Sequence, residues 1–249
     1  MKGKTALVTG GSAGIGKATA RAFGEAGASV IIVSRAKQRG QATEAELREA
    51  GIDVKWLQAD VANPAEVKAV IEQAQSINGR IDFAFNNAKS DGRSDLVANI
   101  DEAEWEKTIS GVLSSVFYCM KYELQVMTSQ GGGVIINNAS VDGLCGFAMD
   151  PAYSAAKHGV VGLAKSAALQ YAQKGIRINA VCPSWIKTER IAARMSSSPS
   201  MEQEILARQP IGRLGWPKEV AAAVVWLCSA QSSFITGAAI PIDGGYTAV

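Results

Sequence analysis

The sequence predicts an α/β fold in which a doubly wound parallel sheet of about seven strands carries helices on both faces. Strand-like and helix-like segments alternate along the whole chain, a pattern typical of such sheets. The strand-like segments are mostly apolar without alternation, as expected of strands that are buried on both faces. A chain of 249 residues, 47% hydrophobic and 19% charged, suits one large domain spanning residues 1–249.

The predicted strands are short, β-prone apolar runs bounded by glycine, proline or polar residues. In chain order they are Thr5–Thr9, Val30–Val33, Val54–Gln58, Ile81–Phe85, Val134–Asn137, Arg177–Val181 and Ala239–Ile242. No linker or internal repeat separates them.

The predicted helices lie between these strands and carry recognisable end signals. Gly27 and Gly51 follow the first two helices, where a glycine commonly ends a helix. Asn63-Pro64 opens the third with a capping residue and a proline in the first position. The first two predicted helices span Ile15–Ala26 and Gln41–Ala50. The helices after the third are predicted at Glu102–Met127, Pro151–Gln173 and Pro217–Cys228.

The composition excludes several classes of partner. Lys and Arg total 25 and Asp and Glu total 23, whereas binders of nucleic acids or membrane surfaces need clustered positive charge. The four cysteines form no CxxC pair and His158 is the only histidine, which is too few ligands for a zinc site. No apolar run reaches ~18 residues without a charge. We therefore expect a soluble, cytoplasmic protein with no metal, nucleic-acid or membrane partner.

A glycine-rich turn follows the first predicted strand and leads into the first helix. It reads Thr9-Gly10-Gly11-Ser12-Ala13-Gly14-Ile15-Gly16. Gly10 permits a tight exit from the strand, Gly14 allows the backbone to approach a phosphate, and Gly16 lets the helix pack on the sheet. The helix N-terminus then offers free N–H groups to a pyrophosphate. A purely structural turn is the alternative interpretation.

A tyrosine and a lysine lie four residues apart at the start of a predicted helix and so share one face of it. They are Tyr153 and Lys157. A phenol with a pKa of ~10 is a poor acid–base group, but an adjacent ammonium stabilises the phenolate and brings its pKa closer to neutrality. Ser140, thirteen residues before Tyr153, could hold a substrate oxygen against the phenol.

The glycine turn with its G-x-x-x-G-x-G spacing, together with Ser140, Tyr153 and Lys157, resembles the short-chain dehydrogenase/reductase family over nearly the whole chain. The resemblance implies a Rossmann-type fold and NAD(P)(H)-dependent hydride transfer between nicotinamide and a ketone or secondary alcohol. Tyr153 would be the general acid–base, while Lys157 would bind the nicotinamide ribose and relay protons. A homo-oligomer is also implied, commonly a tetramer built on the two long helices Glu102–Met127 and Pro151–Gln173.

The end of the second strand bears on which nucleotide binds. A carboxylate there accepts from a ribose 2′-hydroxyl, whereas an arginine accommodates a 2′-phosphate. The chain has Ser34-Arg35, with Lys37 and Arg39 nearby, which favours NADP(H); NAD(H) stays possible. Arg35 as a solvated loop cation is the alternative, and Ala13 stands where many NADP-using relatives carry a basic residue.

The resemblance implies further contacts with cofactor and substrate. The remaining cofactor-binding candidates are Ser12, Ile15, Asp60, Val61, Asn87, Ala88, Pro183, Ile186 and Thr188. Residues 188–210 are expected to form a small helical lid. Besides Ser140, the substrate-binding candidates are Leu144, Phe147 and Met195, which suggest a mostly apolar ketone or alcohol, although the lid residue Met195 could instead pack the lid onto the body.

Three positions depart from the family pattern. Val112 stands where the family has a catalytic asparagine that holds a helix distortion and a water of the proton relay. Lys89 replaces the glycine that normally follows Asn-Asn-Ala, and Ser184 replaces a glycine after Pro183. Val112 and Lys89 therefore keep an alternative open, namely a nucleotide-binding scaffold or a non-redox proton-transfer enzyme on the same fold.

Overall fold

The computed structural model describes residues 1–88, 95–148 and 150–248, apart from the side chains of residues 199–202. These residues form a seven-stranded sheet in which all neighbouring strands are parallel, in the order β3-β2-β1-β4-β5-β6-β7. The strands are β1 (Thr5–Thr9), β2 (Ser29–Ser34), β3 (Val54–Gln58), β4 (Phe83–Asn86), β5 (Gly133–Asn138), β6 (Ile176–Pro183) and β7 (Ala239–Ile242). The predicted doubly wound parallel sheet is confirmed.

Helices connect the strands, and their ends differ from the predicted ones by a few residues. They are α1 (Gly14–Glu25), α2 (Lys37–Glu49), α3 (Pro64–Asn78), α4 (Glu102–Ile109), α5 (Ser115–Ser129), α6 (Pro151–Tyr171), α7 (Glu189–Ser196), α8 (Pro199–Ala207) and α9 (Pro217–Leu227). The segment expected to be a lid contains α7 and α8. Throughout the described residues, no helix is both long and apolar enough to cross a membrane.

Different helices cover the two faces of the sheet. In β1, Leu7 belongs to the buried cluster on the side of α3, α5 and α6. Its neighbours Ala6 and Val8 belong to the cluster on the side of α1 and α9. Because consecutive residues of a strand point to opposite faces, the residues of a strand covered on both sides are mostly apolar. This is why the strands near the middle of the sheet read as mostly apolar segments.

A crevice opens at the carboxyl ends of β1 and β4. From β1 the chain first builds β2 and β3 on one side and then crosses to β4 on the other, the arrangement in which α/β sheets bind ligands. The backbone N–H groups of Asn87 and Ala88, just after β4, donate to Thr9 Oγ1 at 3.0 and 3.2 Å. The glycine turn after β1 is thereby fixed against the end of β4.

The predicted long central helix is interrupted. A π-helical turn, Ser110–Ser114, separates α4 from α5. Val112, which stands in the place of the family's asparagine, lies within this turn and is fully buried. Ser115 Oγ donates to the carbonyl oxygen of Gly111 at 3.0 Å. The distortion that the family's asparagine was expected to hold therefore forms without it.

A buried carboxylate fixes the opposite, amino edge of the sheet. Asp82 is 5% exposed and accepts from the backbone N–H of Thr5 at 3.0 Å, from Lys4 Nζ at 3.0 Å and from Arg80 Nε at 2.7 Å. Burial opposes ionisation of this carboxyl, but the hydrogen bonds from Arg80, Thr5 and Lys4 outweigh it and hold its pKa below the ordinary 3.8. The ionised form of Asp82 thus joins β1 to β4.

We predict that Asp82→Asn lowers the free energy of unfolding by about 2 kcal/mol at pH 7, because the amide cannot accept from all three partners. Since the folded-state pKa is lowered, the stabilisation is present above the unfolded pKa and is lost as the pH falls through the folded pKa. Urea unfolding of both proteins at pH 7 and pH 3 measures this. Asp53→Asn, an exposed carboxylate at the same edge, is the control and should cost under about 0.5 kcal/mol; equal losses for the two variants would contradict the prediction.

Candidate active site

A cavity of about 1170 Å³ extends along the carboxyl edge of the sheet. It exceeds the ~300–1,000 Å³ of pockets for drug-sized ligands, so it has room for a dinucleotide and a small substrate. Its wall includes most of the predicted cofactor residues: Gly10, Ser12, Gly14, Ile15, Ser34, Arg35, Asp60, Val61, Asn87, Ala88, Pro183, Ile186 and Thr188. Residues far apart in the sequence therefore meet here.

The glycine turn has the geometry of a phosphate cradle. Gly10 and Gly14 have φ angles of +63° and +51°, a region that favours glycine. A Cβ on Gly16 would lie 2.2 Å from the carbonyl oxygen of Gly10 and 2.6 Å from Asn87 Nδ2. The first turn of α1 has no side-chain cap and no acidic residue, so its N–H groups and positive dipole end remain available to an anion. The turn fits a pyrophosphate.

Polar and charged side chains surround the end of β2. Ser34 Oγ accepts from Trp56 Nε1 at 3.0 Å and can still donate its own proton. Arg35 Nη1 lies 3.6 Å from Asp60 Oδ2, and the Arg35 side chain is 64% exposed. Arg39 lines the same part of the wall. An exposed, loosely paired guanidinium beside a hydroxyl can accommodate a phosphate.

The three residues predicted to be catalytic gather at the other end of the cavity. Ser140 follows β5 and is 7% exposed. Asp150 caps α6, its Oδ1 accepting from the backbone N–H of Tyr153 at 3.0 Å, so the tyrosine sits in the first turn. Lys157, one turn later, is 2% exposed; its Nζ lies 5.4 Å from the centre of the Tyr153 ring. The cap of α6 thus sets where the tyrosine and the lysine point.

The surroundings of Tyr153 keep its phenol protonated. Burial of the hydroxyl is the largest effect and raises the pKa of Tyr153 well above 10, and the nearby carboxylate of Asp142 adds to the rise. A hydrogen bond with Ser140 and the positive charge of Arg190 act in the opposite direction. The sequence predicts a lowered pKa; in the protein alone, burial outweighs the effects that lower it.

The substrate end of the cavity has aromatic and aliphatic walls and a charged rim. The rings of Phe147 and Trp185 meet edge to face with centroids 6.3 Å apart, and Ile191 and Ile205 of the lid helices line the same space. The cavity wall also contains charged side chains, three arginines and four carboxylates: Arg190, Arg194, Arg208, Asp142, Asp150, Glu189 and Glu204. Such walls suit a compact, mostly apolar molecule.

Two predicted substrate residues do not line this cavity. Leu144 packs against the main hydrophobic core, and Met195 is buried in a small cluster with Ile205 and Leu214 that holds the lid together. In α7 the neighbouring face, with Ile191 and Arg194, turns to the cavity instead. For Met195 the alternative interpretation, packing of the lid, therefore describes its position.

The three departures from the family pattern have different outcomes. Val112 lies in the π turn described above, beside Gly111, which lines the cavity. Ser184 Oγ lies 3.2 Å from the carbonyl oxygen of Asp243 and 3.3 Å from Gln209 Oε1 and can donate its one proton to either, so this serine lies between the end of the lid and the C-terminal segment. Lys89 lies outside the described residues.

Several residues at the cavity were missed by the sequence analysis. Trp185 and Arg190 line the substrate end and Asn138 lines the centre, but none belongs to a motif that points to a ligand. Asp150 had a usable signal, because Asp150-Pro151 repeats the capping pattern of Asn63-Pro64.

Comparison with known proteins agrees with this geometry. A family model described as enoyl-(acyl carrier protein) reductase matches residues 10–247. A cyclohexanol dehydrogenase of Acinetobacter sp. is 42% identical over 98% of this chain and 95% of its own length. A cis-4-hydroxycyclohexanecarboxylate dehydrogenase of Sinomonas cyclohexanicum is 40% identical over 99% and 97%.

Solved structures are similar over the same span. Levodione reductase superposes with a TM-score of 0.95 at 35% identity and covers 100% of this chain and 99% of its own. An actinorhodin polyketide ketoreductase solved with NADPH superposes with a TM-score of 0.93 at 34% identity, over 98% and 97%. The chain belongs to the short-chain dehydrogenase/reductase family of NAD(P)(H)-dependent oxidoreductases, which transfer hydride between nicotinamide and a ketone or alcohol.

Proposed function

We propose that this protein is an NADP(H)-preferring oxidoreductase for a secondary alcohol or ketone on a small ring, with Tyr153 as its general acid–base. The observation that carries the proposal is the meeting of Ser140 and Tyr153 with the glycine turn around one cavity, with Lys157 buried directly behind the tyrosine. Residues 1–249 act as one domain, with α7 and α8 as its lid over the substrate.

In the proposed mechanism, Tyr153 exchanges a proton with the substrate oxygen. Bound NADP(H) supplies or accepts the hydride. Ser140 donates a hydrogen bond to the substrate oxygen and so holds it against the phenol. Because the pKa of Tyr153 is raised by burial, the phenol is protonated at neutral pH and ready to donate to a ketone. Alcohol oxidation needs the phenolate and therefore speeds up as the pH rises.

Lys157 lies behind the Tyr153 ring and supports the proton transfer from there. Its ammonium is almost fully buried and donates to the carbonyl oxygen of Asn138 at 2.6 Å. An ammonium has three donors, and in the proposed mechanism this group also serves the nicotinamide ribose and the proton route to Tyr153. Both roles are those of the family lysine.

The preference for NADP(H) is supported by the end of β2. Ser34, Arg35 and Arg39 lie together on the cavity wall, where a 2′-phosphate would meet a hydroxyl and two guanidinium groups. Asp60, beside Arg35, is the feature that favours NAD(H), since a carboxylate repels a phosphate.

The ring substrate is supported by the cavity and by the relatives. Phe147, Trp185 and Ile191 provide flat and branched apolar surfaces. The two relatives named above act on cyclohexanol and a hydroxycyclohexanecarboxylate.

We also propose a homo-oligomer, a tetramer, in the cytoplasm. Large apolar side chains are exposed on the central helices, among them Trp105 at 41%, Phe117 at 47% and Leu169 at 85%; a second copy covering these surfaces would remove them from water. All four cysteines are free thiols, in agreement with a reducing compartment.

Tyr153→Phe is expected to lower turnover about 10³-fold, because it removes the proton that the substrate oxygen receives. The NADPH Kd should stay within about twofold, since the ring is kept. Cofactor absorbance follows turnover with cyclohexanone, and protein fluorescence follows binding. Tyr171→Phe, on the same helix but outside the cavity wall, is the matched control. Undiminished turnover in Tyr153→Phe would show that another group is the acid–base, whereas NADPH binding with no absorbance change in the wild type would support the non-redox alternative.

Arg35→Ala is expected to raise the Kd of NADPH at least about tenfold and to leave the Kd of NADH within twofold, because only NADPH carries the 2′-phosphate. Fluorescence titration with both cofactors measures this. Lys37→Ala serves as the control, because Lys37 is exposed and absent from the cavity wall. A wild-type protein that binds NADH more tightly than NADPH would refute the preference.

Phe147→Ala is expected to lower kcat/KM for cyclohexanone about tenfold, since it removes one apolar wall of the substrate space. Its effect on the open-chain ketone 2-hexanone should be smaller. Phe234→Ala, an exposed phenylalanine outside the cavity wall, controls for loss of a ring in general. Equal losses for the cyclic and open-chain ketones would argue against a ring-shaped site.

A further inference from the structure

Two neighbouring asparagines end β5 and point to opposite faces of the sheet. Asn137 is fully buried; its Oδ1 accepts from Asn86 Nδ2 at 3.1 Å and its Nδ2 lies 3.2 Å from Met120 Sδ. Asn138 is half-buried and lines the cavity. The two residues thus have the same chemistry in different surroundings, one in the core and one at the site.

Asn138 contacts the lysine and the cofactor turn at the same time. Its backbone carbonyl oxygen accepts from Lys157 Nζ at 2.6 Å. Its side-chain Nδ2 donates to Asn87 Oδ1 at 2.9 Å. Asn87 Nδ2 in turn lies 3.2 Å from the carbonyl oxygen of Thr9 and 3.4 Å from that of Gly10. A continuous series of hydrogen bonds therefore joins the glycine turn to the ammonium of Lys157.

The side chain of Asn138 extends the strand pairing by one step. The backbone register of β4 and β5 ends at the pair Asn86 and Asn137. The next two residues, Asn87 and Asn138, are joined through their amide side chains instead. Without this bond, the peptide that presents the carbonyl to Lys157 would be held to β6 alone, through the register of Asn138 with Val181.

The bond to Asn87 uses only one half of the Asn138 amide. Asn138 Oδ1 is buried and has no hydrogen-bond partner among the described residues, which costs free energy unless a ligand or water supplies one. Val112 stands where the resemblance implies an amide that serves the proton relay of the lysine. A partly unpaired amide whose own backbone carbonyl binds the lysine indicates a use connected with that lysine.

We propose that Asn138 is a positioning residue that couples Lys157 to the cofactor-binding turn in place of the missing asparagine. It holds the acceptor of Lys157 in register with Asn87 and Gly10, so the lysine is aligned with the cofactor once the turn is filled. The inference rests on the proposed function, because it assumes that Lys157 serves Tyr153 and the nicotinamide ribose.

The test compares Asn138→Ala with Asn137→Ala, the same substitution one residue away on the opposite face. Asn138→Ala should raise the NADPH Kd about fivefold or more. It should also move the half-maximal pH of alcohol oxidation upward by about 0.5 unit, because a loosened ammonium stabilises the phenolate less. Asn137→Ala should lower the Tm while leaving both the Kd and the pH profile in place. Asn138→Ser, which also lacks the amide, replaces Asn138→Ala should the latter not fold.

A double-mutant cycle tests the bond itself. Asn87→Ala and Asn138→Ala should weaken NADPH binding non-additively, with the double variant close to the worse single one, because the two residues act through one hydrogen bond. Additive effects, or an Asn138→Ala protein with a lower Tm but unchanged Kd and pH profile, would overturn the proposal. The Kd measurements need no turnover. A failure of the proposed ketone chemistry would therefore appear in the Tyr153→Phe assay and would leave the Kd comparison valid.

Discussion

The hydrogen bonds between the ends of β1 and β4 are the constraint on which the rest of the site depends. Thr9 Oγ1 accepts from two successive backbone N–H groups after β4. Asn87 Nδ2 in turn donates to the carbonyl oxygens of Thr9 and Gly10. These bonds join two strands that are separated by two whole β–α units of sequence. They fix the position of the glycine turn relative to the carboxyl end of β4, and the other contacts of the cavity are built around that position.

This constraint also explains why the turn needs its glycines. A Cβ on Gly16 would lie only 2.6 Å from Asn87 Nδ2, and a Cβ on Gly10 would lie only 2.8 Å from it. The side chain that closes the crevice thus occupies the space that two ordinary residues would fill. Phosphate binding and strand closure therefore make the same demand on the sequence, and the pattern of the turn reflects both.

Most of the fold followed from the sequence because its strands are buried on both faces. Such strands have no polar alternation and are bounded by glycines and prolines, so their number and order in the chain were readable. The break between α4 and α5 was not, because a single π turn needs only one extra residue in the helix and Ser110–Ser114 contains no proline to mark it. The backbone of the folded chain reveals it.

The sequence predicts which residues meet at the cavity where they follow the ends of parallel strands, since those ends must meet at one edge. It does not do so for Leu144 and Met195, which pack away from the cavity wall, because an apolar residue near a site packs inward as readily as it faces a ligand. Trp185 and Asn138 carried no recognisable pattern; their importance comes from a ring contact with Phe147 and a bond to Asn87, and both partners are distant in sequence.

Val112 separates two tasks that a single asparagine performs elsewhere in the family. One task is mechanical, the distortion of the helix, and here the π turn forms with a buried valine in that place and with Ser115 Oγ bonded to the carbonyl oxygen of Gly111. The other is polar, the support of the lysine's proton route, and a valine side chain has no donor or acceptor for it. Because the helix keeps its distortion, loss of the amide does not imply loss of the site's shape. Asn138 offers a polar contact of this kind near Lys157, since its carbonyl oxygen accepts from the ammonium and its side chain reaches the glycine turn through Asn87.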